Sequence, residues 1–207
     1  MKKFVLAAAF AVGLLAQPAM ASNDDDVMAG LMSLTDWDGE RILQQAIDGD
    51  ADAQAMVAMA FYAEGGDGFA AKEWAEKSAN QGNAIGQGLL GSLYFDGEYV
   101  RQSYDEALRL YRLSANQGFS SSQNALGEMY YYGYGVDVDF AQAAYWFRKA
   151  ADQDHGEAQY SLGYLYHYGQ GLEQNTDLAK YWYGKACDNG SRDGCLGYKE
   201  LILSAVD

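Results

Sequence analysis

The sequence predicts an all-α chain, an α/α solenoid of about four helix-turn-helix units with a capping helix at each end. Three observations carry that expectation. The first is a period of 36 residues: Ala71, Ala107, Ala143 and Ala179 share one register, Trp74, Leu110, Trp146 and Trp182 a second, and Ala79, Ala115, Ala151 and Cys187 a third. The second is apolar spacing of three and four, as at Leu126, Met129 and Tyr130, in a chain whose single proline is Pro18. The third is glycine punctuation at the same step: Gly97, Gly133 and Gly169 after one helix, and Gly82, Gly118, Asp154 and Gly190 after the next.

Residues 1–21 open with Lys2 and Lys3, continue as an apolar run from Phe4 to Ala16, and close on Ala19-Met20-Ala21. This pattern reads as a secretory signal peptide cleaved near Ala21, too short in its apolar part to span a bilayer. Residues 22–34, beginning "SNDDD", form an acidic leader and the start of the N-terminal cap, and 35–51 a capping helix. The units are expected at 52–83, 84–119, 120–155 and 156–191, the first being four residues short, and 192–207 supplies the C-terminal capping helix. In each unit a first helix ends at a glycine, as Gly133 and Gly135 end "LGEMYYYGYG", where a left-handed backbone is tolerated. A carboxylate at Asp139 or Asp177 then starts the second helix by capping free amides, and that helix runs to the glycine or aspartate after "NQ" or "DQ". Two such helices cannot bury their apolar faces alone, so neighbouring units must stack.

The stretch "LGEMYYYGYGVDVDFAQAAYWFRKAADQD" resembles a Sel1-like repeat, a relative of the tetratricopeptide repeat, and the likeness runs from Asp52 to Gly190. Leucine-glycine, tyrosine, the Gly-x-Gly turn, and the alanine and aromatic of the second helix recur in order. The departures are the short turn at Gly65, Gly66 and Asp67, Glu98 and Tyr99 in place of Gly-x-Gly, and Asp154 in place of glycine. The last unit, "ACDNGSRDGC", is similar to the cysteine-rich subgroup of these proteins, whose repeats are each stapled by a cysteine pair. That resemblance implies a disulfide between Cys187 and Cys195, which is also the default for two cysteines in an oxidising compartment. A zinc site is the rival, disfavoured because no histidine is near.

The formal charge of −15 becomes −17 once Lys2 and Lys3 are cleaved away. Such a chain repels phosphates, which argues against nucleic acid and anionic membranes and leaves room for a basic partner. No later stretch is long and apolar enough for a membrane helix, so a periplasmic or secreted monomer is expected. The subgroup resemblance raises β-lactam binding or weak β-lactam hydrolysis as the alternative activity. An acyl enzyme needs a nucleophile, a base and a donor pocket, yet neither Ser-x-x-Lys nor Gly-x-Ser-x-Gly occurs after residue 21, and the histidines are only His155 and His167. "DGDADA" starts like a calcium loop but has Ala53 where glycine is needed and Met59 where the bidentate glutamate belongs. Its carboxylates read as helix caps. Gly133 with Gly135 and Gly169 with Gly171 lack a third glycine and a preceding strand, so they are turns and not a phosphate cradle. No metal, cofactor or catalytic residue is assigned.

What varies between units is the other face of the first helix: Gly88, Ser92, Phe95 and Asp96, then Asn124, Glu128, Tyr131 and Tyr132, then Tyr160, Tyr164, His167 and Tyr168. In a solenoid of this kind those positions line the concave side. Tyrosine offers large, stiff, amphipathic contact area, so Phe95, Asn124, Glu128, Tyr131, Tyr132, Tyr160, Tyr164, His167 and Tyr168 are the candidate partner-binding residues. The expected function is a non-catalytic interaction module holding a protein or peptide, as an adaptor, regulator or immunity protein.

Overall fold

The computed structural model describes residues 36–63 and 67–203, so the signal peptide, the acidic leader, and Gly65 and Gly66 lie outside the described residues. Among the described residues there are ten helices and no strand. Contacts divide the chain into two compact units, one up to Gln102 and one from Ser103, a boundary that falls between the two helices of the second repeat.

In the first unit α1 (Asp36–Ile47), α2 (Ala51–Ala63), α3 (Gly68–Asn80) and α4 (Ala84–Asp96) pack each on the next, and α2 also meets α4. Leu43, Ala46, Ala53, Val57, Phe61 and Ala71 form its core. In the second unit the same sequential packing joins α5 (Tyr104–Asn116), α6 (Ser120–Tyr132), α7 (Phe140–Ala151), α8 (Gly156–Tyr168), α9 (Thr176–Asp188) and α10 (Arg192–Leu203). Its core is built largely by α7, α8 and α9 around Ala143, Phe147, Leu162, Leu165, Tyr166, Trp182 and Tyr183.

Helix starts follow the period more closely than expected. Asp67, Ser103, Asp139 and Asn175 are the N-caps of α3, α5, α7 and α9, each accepting a backbone N–H of the first turn through its side chain. Asn175, not Asp177, therefore caps α9; Asp177 sits inside the first turn, where its charge still complements the helix dipole. Asp50 Oδ1 accepts from Ala53 N at 2.8 Å, the capping role expected for "DGDADA". The second helices stop at Asn80, Asn116, Ala151 and Asp188, two or three residues before the turn positions Gly82, Gly118, Asp154 and Gly190. Asp154 keeps the left-handed backbone of its glycine counterparts, at φ 60° against 85°, 96° and 87°. Tyr99 does the same where Gly135 and Gly171 stand in later repeats, at φ 59° against 68° and 66°. Both departures from the repeat pattern change the side chain and keep the backbone.

The recurring leucine-glycine has a packing cause. A methyl group on Gly127 would run into the Phe147 ring, and one on Gly163 into the Tyr183 ring, so each glycine lets an aromatic of the following helix lie against its backbone. A second device is polar. Gln54, Gln123 and Gln159 are buried, and each Nε2 donates to a carbonyl that closes the preceding helix or turn: Ala46, Ala115 and Ala151, at 3.0, 3.1 and 3.1 Å. Their Oε1 atoms accept from Gln81, Gln153 and Asn189 at 2.8, 2.7 and 2.9 Å. These three buried amides are thereby paired on both sides, as burial demands. The Cys187–Cys195 disulfide joins α9 to α10 with Cα atoms 4.4 Å apart.

Candidate functional site

The candidate residues divide between the units. Phe95 lies on α4 of the first unit, half-buried, its carbonyl accepting from Gln102 Nε2 at 2.8 Å. Asn124, Glu128, Tyr131 and Tyr132 lie on α6, and Tyr160, Tyr164, His167 and Tyr168 on α8, helices that touch each other in the second unit. Spacing of three and four along both helices brings their side chains to one side.

Two depressions adjoin there. One of about 450 Å³ is lined by Glu128, Tyr131, Tyr132, Phe147, Tyr160, Ser161 and Tyr164. The other, of about 640 Å³, shares Glu128, Tyr160 and Ser161 and extends through the turn residues His155 and Asn189 to Glu157, Arg192 and Asp193 at the starts of α8 and α10. The aromatic rings form a connected set. Tyr131 and Tyr164 meet edge to face at 6.4 Å between centroids and 80° between planes, and Tyr160 lies 6.4 Å from Tyr164. Tyr164 packs on Tyr168 at 4.5 Å, and the His167 ring stacks on Tyr168 at 4.4 Å. Beneath them the buried Tyr183 stacks on Tyr160 at 5.6 Å. Tyr132 and Tyr168 are 60% and 54% exposed, unusual for side chains of this size.

One expectation about this face is corrected. Asn124 is buried, at 6% exposure, and Gly88 is buried as well, so neither is an exposed variable letter. Asn124 instead supports the site from within: its Nδ2 donates to Glu128 Oε1 at 2.8 Å. Desolvation raises the Glu128 pKa, the Asn124 hydrogen bond pulls it back, and the nearby Glu157 charge adds to the rise. Burial, with the neighbouring Tyr164, pushes the Tyr131 phenol up to about 12. Burial, and then the Asp193 charge, raises Tyr160 as well. Both hydroxyls thus stay protonated and serve as neutral donors and acceptors.

Ser161, Phe147, Tyr183 and the turn residues of the larger depression were not among the candidates. Tyr111, Phe147 and Tyr183 stand 36 residues apart, a register the sequence displays but one that reads only as packing. Among the described residues no three His, Cys, Asp or Glu side chains are grouped to hold a metal ion, and no helix is long and apolar enough to cross a membrane.

Paired helices stacking at a fixed period, with aromatics gathered on one side of the first helices, define a helical repeat protein of the α/α solenoid class. The Sel1 repeat profile matches residues 51–83, 84–119, 120–155 and 156–191, and the chain belongs to the Sel1 repeat family. It is similar to c5321, a protective antigen present in uropathogenic Escherichia coli strains displaying an SLR fold, with 30% identity and a TM-score of 0.73. That match covers 82% of this chain and 37% of the antigen, so this chain spans little over a third of its length. It is also similar to a Sel1 repeat protein from Oxalobacter formigenes, at 33% identity and a TM-score of 0.57, over 61% of this chain and 95% of that one. No curated protein matches. Sel1-repeat proteins are protein–protein interaction modules, and this chain carries four such repeats with one bridged cysteine pair.

Proposed function

We propose that the chain is an exported, non-catalytic interaction module that holds a segment of a partner protein against the tyrosine face of α6 and α8, acting as an adaptor, regulator or immunity protein. The observation that carries this reading is the pair of adjoining depressions walled by Tyr131, Tyr160 and Tyr164, with the exposed Tyr132 lining one of them and the exposed Tyr168 packed on Tyr164. Large aromatic side chains held by neighbouring rings lose little conformational freedom on binding, which is what makes them effective contact residues. The bridged cysteines fit an oxidising compartment, in keeping with the secretory pattern of residues 1–21. His155 Nδ1 accepts from Ala158 N as a helix cap, and the His167 ring is stacked on Tyr168 within the aromatic set.

Affinity capture from a periplasmic extract of the native host, with the intact chain and with a Tyr131→Ala, Tyr164→Ala, His167→Ala variant, tests the assignment. The intact chain retains a partner that the variant loses. Equal capture by a folded variant would move the interaction to another surface.

A further inference from the structure

We propose that the depression formed by Glu128, Tyr131, Tyr160 and Tyr164 takes the guanidinium of an arginine carried by the partner segment. The inference rests on the reading of this face as a partner site and names the chemistry it recognises.

Four observations lead there. Glu128 lines both depressions, is half-buried, and has no ion-pair partner among the described residues. One turn earlier on α6, Asn124 Oδ1 is buried and accepts no hydrogen bond, although its Nδ2 is used by Glu128. Among the described residues Glu128 is therefore held only by a neutral amide and offers its carboxylate to a cation, while the unmatched Asn124 oxygen one turn away, which lines neither depression, adds negative potential behind it. The walls are aromatic, and cations are attracted to the faces of such rings. Finally, the surrounding charge is negative. Glu157 and Asp193 line the adjoining depression, and Arg192, which also lines it, makes no ion pair with Glu128.

Guanidinium meets all four conditions together. It carries five donors in one plane, binds a carboxylate through two of them, and stacks on aromatic rings while keeping its charge. A lysine ammonium brings three donors and a tightly held hydration shell, and a quaternary ammonium brings none. Both would leave the Glu128 carboxylate less fully matched.

The test titrates the full chain with N-acetyl-arginine amide, following backbone and tyrosine signals by NMR, beside the neutral citrulline analogue, N-acetyl-lysine amide and choline. The arginine amide is expected to give saturable shifts at Glu128, Tyr131, Tyr160 and Tyr164, and citrulline none. Glu128→Gln, checked for unchanged fold by its amide spectrum, is expected to weaken arginine binding about tenfold or more, the worth of a charge-assisted hydrogen bond. No saturable shift with arginine, equal binding of citrulline, or equal binding of lysine or choline would overturn the assignment. Silence towards arginine together with partner capture that the tyrosine variant abolishes overturns this inference alone. Arginine binding together with capture indifferent to the tyrosine variant overturns the partner site and leaves the guanidinium pocket standing.

Discussion

Tyr183 lies stacked against Tyr160, ring centroids 5.6 Å apart and planes 28° from parallel, so a buried core ring of α9 holds a ring of the candidate site. Tyr183 is also the ring that occupies the space left open by Gly163, and it lies close against Gly197 on α10. Its removal opens a cavity between three helices. Tyr183→Ala should cost about 3–5 kcal/mol, the range for truncating a buried aromatic. Gly163→Ala should cost about 1–3 kcal/mol by overpacking the same space. Urea unfolding followed by far-ultraviolet circular dichroism measures both, and a loss below 1 kcal/mol for Tyr183→Ala would mean the ring is not central.

The glutamine pairing makes a polar prediction. Gln159→Leu keeps the volume but takes one of two donors from the Ala151 carbonyl, which keeps the Asp154 N–H at 3.0 Å, and leaves the exposed Asn189 amide to water. The expected cost is about 1–3 kcal/mol, the net worth of two hydrogen bonds. Asn189→Ala, which removes only the outer, exposed member, should cost less than half as much. Equal losses in the two variants, by the same unfolding measurement, would show that the inner bond is not the important one.

The disulfide closes a short loop between α9 and α10. Its removal by Cys187→Ser with Cys195→Ser should lower stability by about 2.5 kcal/mol on the loop-entropy account. Amide exchange is expected to rise first in α10, the last helix. Thiol counting under denaturing, non-reducing conditions checks the bond itself: the expected count is zero, and two free thiols per chain would refute it.

Burial of Glu128 gives a pH dependence of definite sign. Its carboxyl pKa is higher folded than unfolded, where a glutamate titrates at about 4.3. Between the unfolded and the raised folded value the native state binds the extra proton, so this group's contribution falls as pH rises through that window and stays unfavourable above it. Glu128→Gln should therefore stabilise the chain at neutral pH, and the gain should vanish at about pH 3, where the carboxyl is protonated in both states. Thermal unfolding of the two proteins at both pH values measures it. A variant less stable than the parent at neutral pH would mean that Glu128 is a structural anchor and not a strained binding group.

The left-handed turn at Asp154 separates backbone from side chain. Asp154→Val should cost about 1–2 kcal/mol, because a β-branched residue resists that conformation. Asp154→Gly should stay within about 0.5 kcal/mol of the parent, since the Lys185 ion pair it loses is exposed and weak and Gln159 Nε2, which also donates to Asp154 Oδ1, keeps the Ala151 carbonyl. A large loss in the glycine variant would show that the side-chain contacts outweigh the turn.

The period made the helices legible, because stacked units must place side chains of the same size at the same heights. Positions such as Ala143, Leu162 and Gly163 announce themselves by recurring. The exposure of particular letters was less legible. Asn124 and Gly88 vary from unit to unit, yet both are buried, because a first helix is packed on more than one side and its buried surface is wider than a single stripe. Asn175 and Asp177 are both capable caps two residues apart; the carboxylate points to Asp177, while the 36-residue register with Asp139 points to Asn175, and the register is the better guide. The larger depression draws on His155, Asn189 and Ser191, from two different inter-helix turns, a juxtaposition that helix periodicity does not encode.

The most direct test of the partner face uses a photo-crosslinking amino acid placed singly at Tyr132 or Tyr168, at the edges of the site, and at Tyr145 or Tyr181, exposed on the second helices α7 and α9. With the chain expressed in its native host, Tyr132 and Tyr168 are expected to crosslink to one and the same partner, and Tyr145 and Tyr181 to none. Crosslinks from Tyr145 and Tyr181 with none from Tyr132 and Tyr168 would place the partner on the second helices and contradict the account.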